Sequence, residues 1–366
     1  MKILYVTTIG GTMSFFKSFI RELLDEGHTV DIATNENSSR VPEHYKEWGC
    51  TVYQIDTSRS PLNKGNLNAI RQLKQLAITV GYDIVHCHTP IAAMCTRIAC
   101  RKLRQKGTKV FYTAHGFHFY KGAPLKNWLL YYPVEKICAY FTDVLLTINR
   151  EDFTFAKKKL RAKKIEYIPG VGVDLEKFGN VKLDQAKKRR ELGIPEKAPL
   201  LLSVGELNEN KNHETVIRAI VGLDAYYIIA GKGNLQEHLQ GVINELGVTE
   251  RVKLIGYRSD VAELYQTADV YVLPSIREGL NVSVMEAMAS GLPVVCGRIR
   301  GNTDLIDENG GALFDPACLE DCKQAIQQTL QGNVKGMGEY NTTKIENFEI
   351  NRVNNTMKLL YFSQKN

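Results

Sequence analysis

Short runs rich in Val, Ile, Leu and Tyr alternate with amphipathic helical stretches along this chain, and the alternation occurs twice. In the first half the runs are Ile3–Thr7, Val30–Thr34, Thr51–Ile55, Ile84–His88, Val110–Thr113 and Val144–Ile148. In the second they are Leu200–Val204, Tyr226–Ala230, Val252–Ile255, Val270–Leu273 and Pro293–Cys296. Strands separated by helix-length stretches must cross over and pair in parallel. Each half opens with a strand, a Gly-containing turn and a helix: Thr8-Ile9-Gly10-Gly11 in one, Val204-Gly205-Glu206 in the other. A length of 366 residues exceeds what one core fills comfortably.

The expected architecture is therefore α/β, with two Rossmann-like domains of parallel sheet facing each other. A hinge is expected near Ile168-Pro169-Gly170-Val171-Gly172-Val173-Asp174, where Pro fixes one dihedral and the glycines free others. That divides the chain into 1–170 and 171–352. The basic, helical Leu183–Leu192 enters the second domain. Past Asn333 the chain turns Asn-rich and regains a helical pattern at Val353–Phe362.

Charged residues make up 24% and hydrophobic ones 44%, which argues against disorder and against membrane embedding. No apolar run is long enough to span a bilayer. Met1-Lys2 leads straight into the first strand, which leaves no room for a signal peptide. Eight cysteines (50, 87, 95, 100, 138, 296, 318, 322) lie scattered without a CxxC pair, as expected of reduced cytosolic core residues. The net charge of +7 gathers in 97–109 and 157–164. A solvated helix face explains either cluster alone. Nucleic acid is a poor fit because no reader motif accompanies the charge. An anionic membrane surface fits better.

Beyond the strand Asp269–Ser275 stands Glu278-Gly279-Leu280-Asn281-Val282-Ser283-Val284-Met285-Glu286, with two carboxylates eight residues apart around a strand-to-helix loop. Ligands of open α/β sheets sit at such strand ends, where helix amides point into the crevice. Ser283-x-x-Glu286 also has the form of a capping box, and both readings stay open here.

This E-x7-E stretch resembles the signature of retaining GT-B glycosyltransferases of family 4. Other segments match in order. Ser203–Leu207 with Lys211-Asn212-His213 is similar to the family's phosphate-binding turn, which implies that Gly205 and Lys211 meet the donor diphosphate. Ile229-Ala230-Gly231-Lys232-Gly233 resembles the next nucleotide turn, and Leu254-Ile255-Gly256-Tyr257 the strand end beside the base. One departure stands out: Glu206 occupies a position where the family commonly has Arg. Either Glu206 turns to a neighbour or another cation helps, with Arg277 the candidate. The resemblance implies a UDP-sugar substrate, no cofactor and no metal. Glu278 would act at the sugar, the Gly279, Leu280 and Asn281 amides on sugar and phosphate, Glu286 on ribose hydroxyls, and Gly10, Gly11, Gly233 and Tyr257 around the donor.

Tyr112-Thr113-Ala114-His115-Gly116 is similar to the family's Thr-x-His-Gly element, which places His115 near the transferred sugar. His86 and His88 share one strand face; with no third ligand they read as structural or acceptor-side residues rather than a metal pair. Asp83–Pro90 and the stretch from His115 to Asn149 resemble bacterial transferases that build exopolysaccharide, capsule or lipid-linked oligosaccharide. Their acceptor is usually a sugar on undecaprenyl (polyprenyl) diphosphate. Eight aromatics from Phe117 to Phe141, interleaved with Lys121, Lys126 and Lys136, suit a surface dipping into lipid headgroups, with about half of them in the core.

The expectation is a retaining glycosyltransferase with an acceptor-binding first domain, completed by the last helix (about 353–366), and a donor-binding second one. It would be peripheral on the cytoplasmic face of the plasma membrane. A GT-B nucleotide-sugar epimerase shares the fold, but needs acid/base carboxylates in the first domain, where none stands out. A nicotinamide-dependent oxidoreductase is disfavoured because Ile9-Gly10-Gly11-Thr12-Met13 does not complete G-x-G-x-x-G. A non-catalytic assembly partner would be favoured if Glu278 were dispensable.

Overall fold

Among the described residues (1–58, 60–61 and 63–363 of the computed structural model), thirteen strands build two all-parallel sheets. Strands β1 (Lys2–Ile9), β2 (Thr29–Asn35), β3 (Val52–Gln54), β4 (Ile84–His88), β5 (Lys109–Ala114), β6 (Val144–Thr147) and β7 (Lys164–Tyr167) form the first, in the order 3-2-1-4-5-6-7. Strands β8 (Leu200–Val204), β9 (Tyr226–Ala230), β10 (Val252–Gly256), β11 (Val270–Leu273), β12 (Val294–Gly297) and β13 (Gly311–Phe314) form the second, in the order 10-9-8-11-12-13. The sheets belong to two compact units, one of Met1–Val171 with Val353–Asn366, the other of Gly172–Arg352.

Central strands of each sheet are buried along their length, as in β4 and β11, because crossover helices cover both faces. The edge strands β7 and β13 were not expected from sequence. In Lys164-Ile165-Glu166-Tyr167 only Ile165 is buried, and β13 opens on Gly311. The Asn-rich stretch also folds differently: Val334–Ile345 is a helix capped by Asn333, whose side chain accepts from the Gly336 amide.

The last helix, Ile350–Phe362, completes the first unit. Asn354 donates to Ser18 and Glu22, Lys358 pairs with Glu22 and Glu26, and the Tyr361 hydroxyl reaches Tyr5 beneath the sheet end.

The basic stretch 97–109 is not one solvated face. Arg97 is fully buried, its Nη1 2.8 Å from Glu135 Oε2 and its guanidinium 4.2 Å over the Tyr112 ring. Tyr112 donates to the other Glu135 oxygen at 3.1 Å. Arg104 makes a two-point bond to Asp143. Glu135→Ala should therefore cost the first unit about 3–5 kcal/mol, because it strands a buried guanidinium. Denaturant unfolding at pH 7 measures this; a loss under about 1 kcal/mol would contradict the pairing.

Candidate active site

In an open α/β sheet, ligand crevices form where the winding direction reverses, beyond the strand C-terminal ends. The reversal in the second sheet lies between β8 and β11, and two charged side chains meet there. Lys211 follows β8 and Glu278 follows β11; Lys211 Nζ donates to Glu278 Oε1 at 2.8 Å, with 17 and 14% of the side chains exposed. The lysine stem lies across Gly205, where an added Cβ would stand 3.3 Å from Lys211 Cε.

Loops after neighbouring strands hold this pair from below. Gly205 N–H donates to Ala230, Leu207 N–H to the Lys232 carbonyl, and Gly231 N–H to Gly256. The approach is so close that a Cβ on Gly231 would sit 1.8 Å from the Gly205 oxygen, so only glycine fits. Gly233 backs Leu207 in the same way. Asn212, held at a left-handed φ of 54°, donates to the Pro274 and Pro316 carbonyls and ties the Lys211 turn to the β11 loop.

Glu206 turns to a neighbour: its carboxylate accepts from Asn208 Nδ2 at 2.9 Å. Arg277 is exposed, its carbonyl held by Asn210. Sequence reasoning passed over Arg300, which is buried after β12 and donates from Nε to the Glu278 carbonyl at 3.2 Å. Its signal was available: Gly297-Arg298-Ile299-Arg300-Gly301 is another Gly-flanked loop at the end of an adjacent strand.

The capping-box reading is corrected. Helix Val282–Ala289 is capped by Asn281, whose Oδ1 accepts from the Ser283 and Val284 amides and from Ser283 Oγ. Glu286 instead accepts from the Tyr265 hydroxyl at 2.9 Å. Burial pushes its carboxyl above the usual carboxylate range, with the Tyr265 hydrogen bond and Lys177 pulling back. Glu286 is half-buried one turn inside the helix and takes no part in the cap. Leu280 is buried, so only its backbone faces the loop, and the Tyr257 ring is exposed.

The first sheet reverses between β1 and β4. Thr8 and Thr89 bond there through their hydroxyls at 2.6 Å, beside a cavity of about 280 Å³ lined by Ile9, Thr12, Pro90, Ile91, His118 and Tyr131. Thr89 has φ 66°, a strained value for a β-branched residue. Gly10 packs against the Ser39–Val41 backbone and Gly11 against the Ser39 side chain.

His115 lies beside this reversal, its Nε2 3.1 Å from His88 Nδ1. His86 bridges the Tyr361 hydroxyl and Thr113 Oγ1, and His88 is stacked on Tyr5 and packs at a tilt against Phe16. Burial lowers His115 to about 4 and His86 to about 3, the latter also through His115; burial and the neighbouring His86 and His115 hold His88 well below its ordinary value. The cluster is thus neutral at pH 7. Among the described residues no three His, Cys, Asp or Glu side chains gather as a metal set.

The sequence of residues 2–149 matches the family described as glycosyl transferase 4-like, and 184–344 that of glycosyl transferases group 1. The chain is 40% identical over 319 residues to the putative glycosyltransferase EpsD of Bacillus subtilis, covering 84% of this chain and 82% of that one. It is 30% identical over 285 residues to the Escherichia coli UDP-Gal:alpha-D-GlcNAc-diphosphoundecaprenol alpha-1,3-galactosyltransferase, covering 72 and 73%. The crystal structure of Anabaena HepE in complex with UDP shares the fold, with TM-score 0.82 and 19% identity over 99% of this chain and 100% of that one. Two Rossmann-like parallel sheets of this order define the GT-B class of glycosyltransferase. The chain belongs to the glycosyl transferases group 1 family, retaining enzymes that take sugar from nucleotide donors.

The histidine cluster sets an acid limit on stability. Its folded pKa values lie below the unfolded value of about 6.5, so the unfolded chain binds more protons as pH falls. Stability is complete above about pH 6.5 and declines toward pH 4, by up to about 1.4 kcal/mol per pH unit for each histidine. A His88→Phe variant should lose less stability than the parent between pH 7 and pH 5 in urea titrations. An identical loss in the two proteins would refute this origin.

Proposed function

We propose that this chain transfers a hexose or N-acetylhexosamine from a UDP-sugar to a saccharide on polyprenyl diphosphate, in exopolysaccharide or capsular polysaccharide assembly. The observation that carries this reading is the Lys211–Glu278 pair across the β8/β11 reversal. Lysine has three N–H donors, so it can hold Glu278 and a diphosphate oxygen together. Glu278 then orients the ammonium and presents its free oxygen to the sugar. Since Asn281 already occupies the first helix amides, the loop amides of Gly279 and Leu280 are assigned to the phosphate, and Glu286 to the ribose hydroxyls. Gly205 and Gly233 shape the donor turn, Tyr257 lies by the base, and Arg277 is a second cation for the diphosphate.

In the reaction, the bond between the anomeric carbon and the β-phosphate oxygen breaks as the acceptor hydroxyl bonds to that carbon. The hydroxyl proton passes to the departing phosphate on the same face, which retains configuration. Charge grows on UDP, and Lys211 with the amides stabilises it without a metal. His115, neutral, is assigned a hydrogen bond to the sugar, and the cavity at Thr8 and Thr89 the acceptor, while Gly10 and Gly11 keep their expected place around the donor. Support for the donor and acceptor comes from likeness to the E. coli enzyme, whose name specifies UDP-Gal and a diphosphoundecaprenol-linked sugar.

The test is a panel of UDP-sugars with a short-chain polyprenyl diphosphate saccharide, assayed in chelator and read by mass. A one-sugar gain supports the proposal. An altered sugar nucleotide formed without acceptor would instead establish an epimerase, and activity only after added manganese would refute the metal-free donor site.

Lys211→Ala should lower kcat/KM for the UDP-sugar by roughly 10- to 150-fold, the worth of one charge-assisted contact of about 1.5–3 kcal/mol. Unchanged transfer would remove Lys211 from the site. A further loss in the Lys211→Ala/Arg277→Ala double variant supports Arg277 as the second cation, and none would reject it.

Two substitutions on one helix separate ligand binding from capping. Asn281→Ala should cost about 1 kcal/mol of stability through the lost cap. Glu286→Gln should weaken UDP binding while leaving thermal stability nearly intact, as calorimetry on each variant would show. The reverse pattern would return Glu286 to a structural role.

A further inference from the structure

The helix Leu125–Ala139 turns an apolar stripe outward. Leu125, Leu129, Leu130, Ile137 and the following Tyr140 are 43 to 73% exposed. The other outward positions are Lys126, Pro133 and Lys136. At 3.6 residues per turn these positions share one face, and that face holds no carboxylate and no amide. The helix's one acid, Glu135, is buried against Arg97.

This differs from the surface expected on sequence. Trp128, Tyr131 and Tyr132 pack inward on the core, and Phe117 and Phe119 are buried. The exposed apolar groups are mainly leucines on the opposite side. A helix apolar on both sides is normally covered on both sides.

The flanks are basic. Arg104 donates to the Tyr140 carbonyl at 2.7 Å, which sets the exposed Arg101, Lys102 and Lys106 against the helix end. Phe155 packs on Trp128 and Tyr132, which brings helix Arg150–Lys159 with its exposed Lys157, Lys158 and Lys159 alongside.

We propose that this stripe docks the protein on an anionic lipid bilayer, with the helix lying in the headgroup region. The proposal rests on the reading of a lipid-linked acceptor and gives it a residue-level surface. Charge complementarity selects the occupant: a lysine-lined apolar strip with a basic border meets anionic headgroups favourably, each nearby cation contributing about fivefold in binding. A second copy of the chain would set lysines against lysines across an isologous contact. Among the described residues no helix is long and apolar enough to cross a membrane, so the helix lies on the surface.

Full-length protein would be sedimented with phosphatidylcholine vesicles and with equimolar phosphatidylglycerol–phosphatidylcholine vesicles. Stronger binding to the anionic vesicles, weakened by salt, is expected. Leu125→Ser/Leu129→Ser should reduce it at least tenfold, and Lys126→Glu/Lys136→Glu more on anionic than on neutral vesicles. Both variants should keep the parent's circular dichroism and its transfer to a water-soluble short-chain acceptor. Equal binding to both vesicle types, or a double serine variant that binds like the parent, would overturn the proposal. A parent dimer that the serine variant dissociates, without vesicle binding, would assign the stripe to a second copy. Absence of transfer with vesicle binding intact would count against the acceptor reading and leave the docking surface standing.

Discussion

Both units depend on a reversal of winding in a parallel sheet. Once strands on either side of β1, and again of β8, are added in opposite directions, two crossover helices diverge and leave a gap at the strand ends. Backbone amides and short loops converge on that gap regardless of side chain. The chain then specialises it with few residues. In the second unit, Gly205, Gly231 and Gly233 allow three loops to stack closely enough for Lys211 to reach Glu278. In the first, Thr8 and Thr89 span the same topological position, with Thr89 held at a positive φ. Strain persists only where surroundings over-determine it, and here Pro90 on one side and the Thr8 bonds on the other do so.

Much of this was legible. Central strands are nearly continuous apolar runs, so their places were readable to within a residue or two. Glu278 and Glu286 could be set at a strand-to-helix junction because β11 ends abruptly at Pro274-Ser275. What escaped followed from packing rather than pattern. Strand β7 carries two charges in four residues and follows a lysine-rich run, so its local composition resembles a solvated face. Asn281 takes the place that one of the two open readings gave to Ser283, because a cap is chosen by where the backbone leaves helical geometry, and Ser283 lies two residues too late. Arg97 looked like one of a row of surface cations; its buried partner Glu135 lies 38 residues on and only the fold brings them together.

Burying charge and polarity differently gives the two parts of the first unit different responses. Around Arg97 charge is met by charge: the Glu135 carboxylate, the Tyr112 hydroxyl and the Ala93 carbonyl surround the pair, with the guanidinium Nη2 alone left without a partner. Around His86, His88 and His115 neutrality is the solution: three imidazoles can share one buried site only while uncharged. Tyr361 extends this network to the helix Ile350–Phe362, which is thereby tied to the interior of the first unit.

The Leu125–Ala139 helix shows how these constraints combine. Its inner side must hold Glu135 for Arg97 and supply aromatic rings to Phe119 and Phe155. Those demands fix its rotation, and rotation fixes which residues face outward. Had the sequence been selected only for solubility, the outward positions were free to be polar, since packing makes no claim on them. They are instead leucine, isoleucine, proline, tyrosine and lysine. An outer face unconstrained by the fold and still apolar is the observation on which the proposed docking surface rests, and its lysines set the sign of the charge proposed for the counterpart.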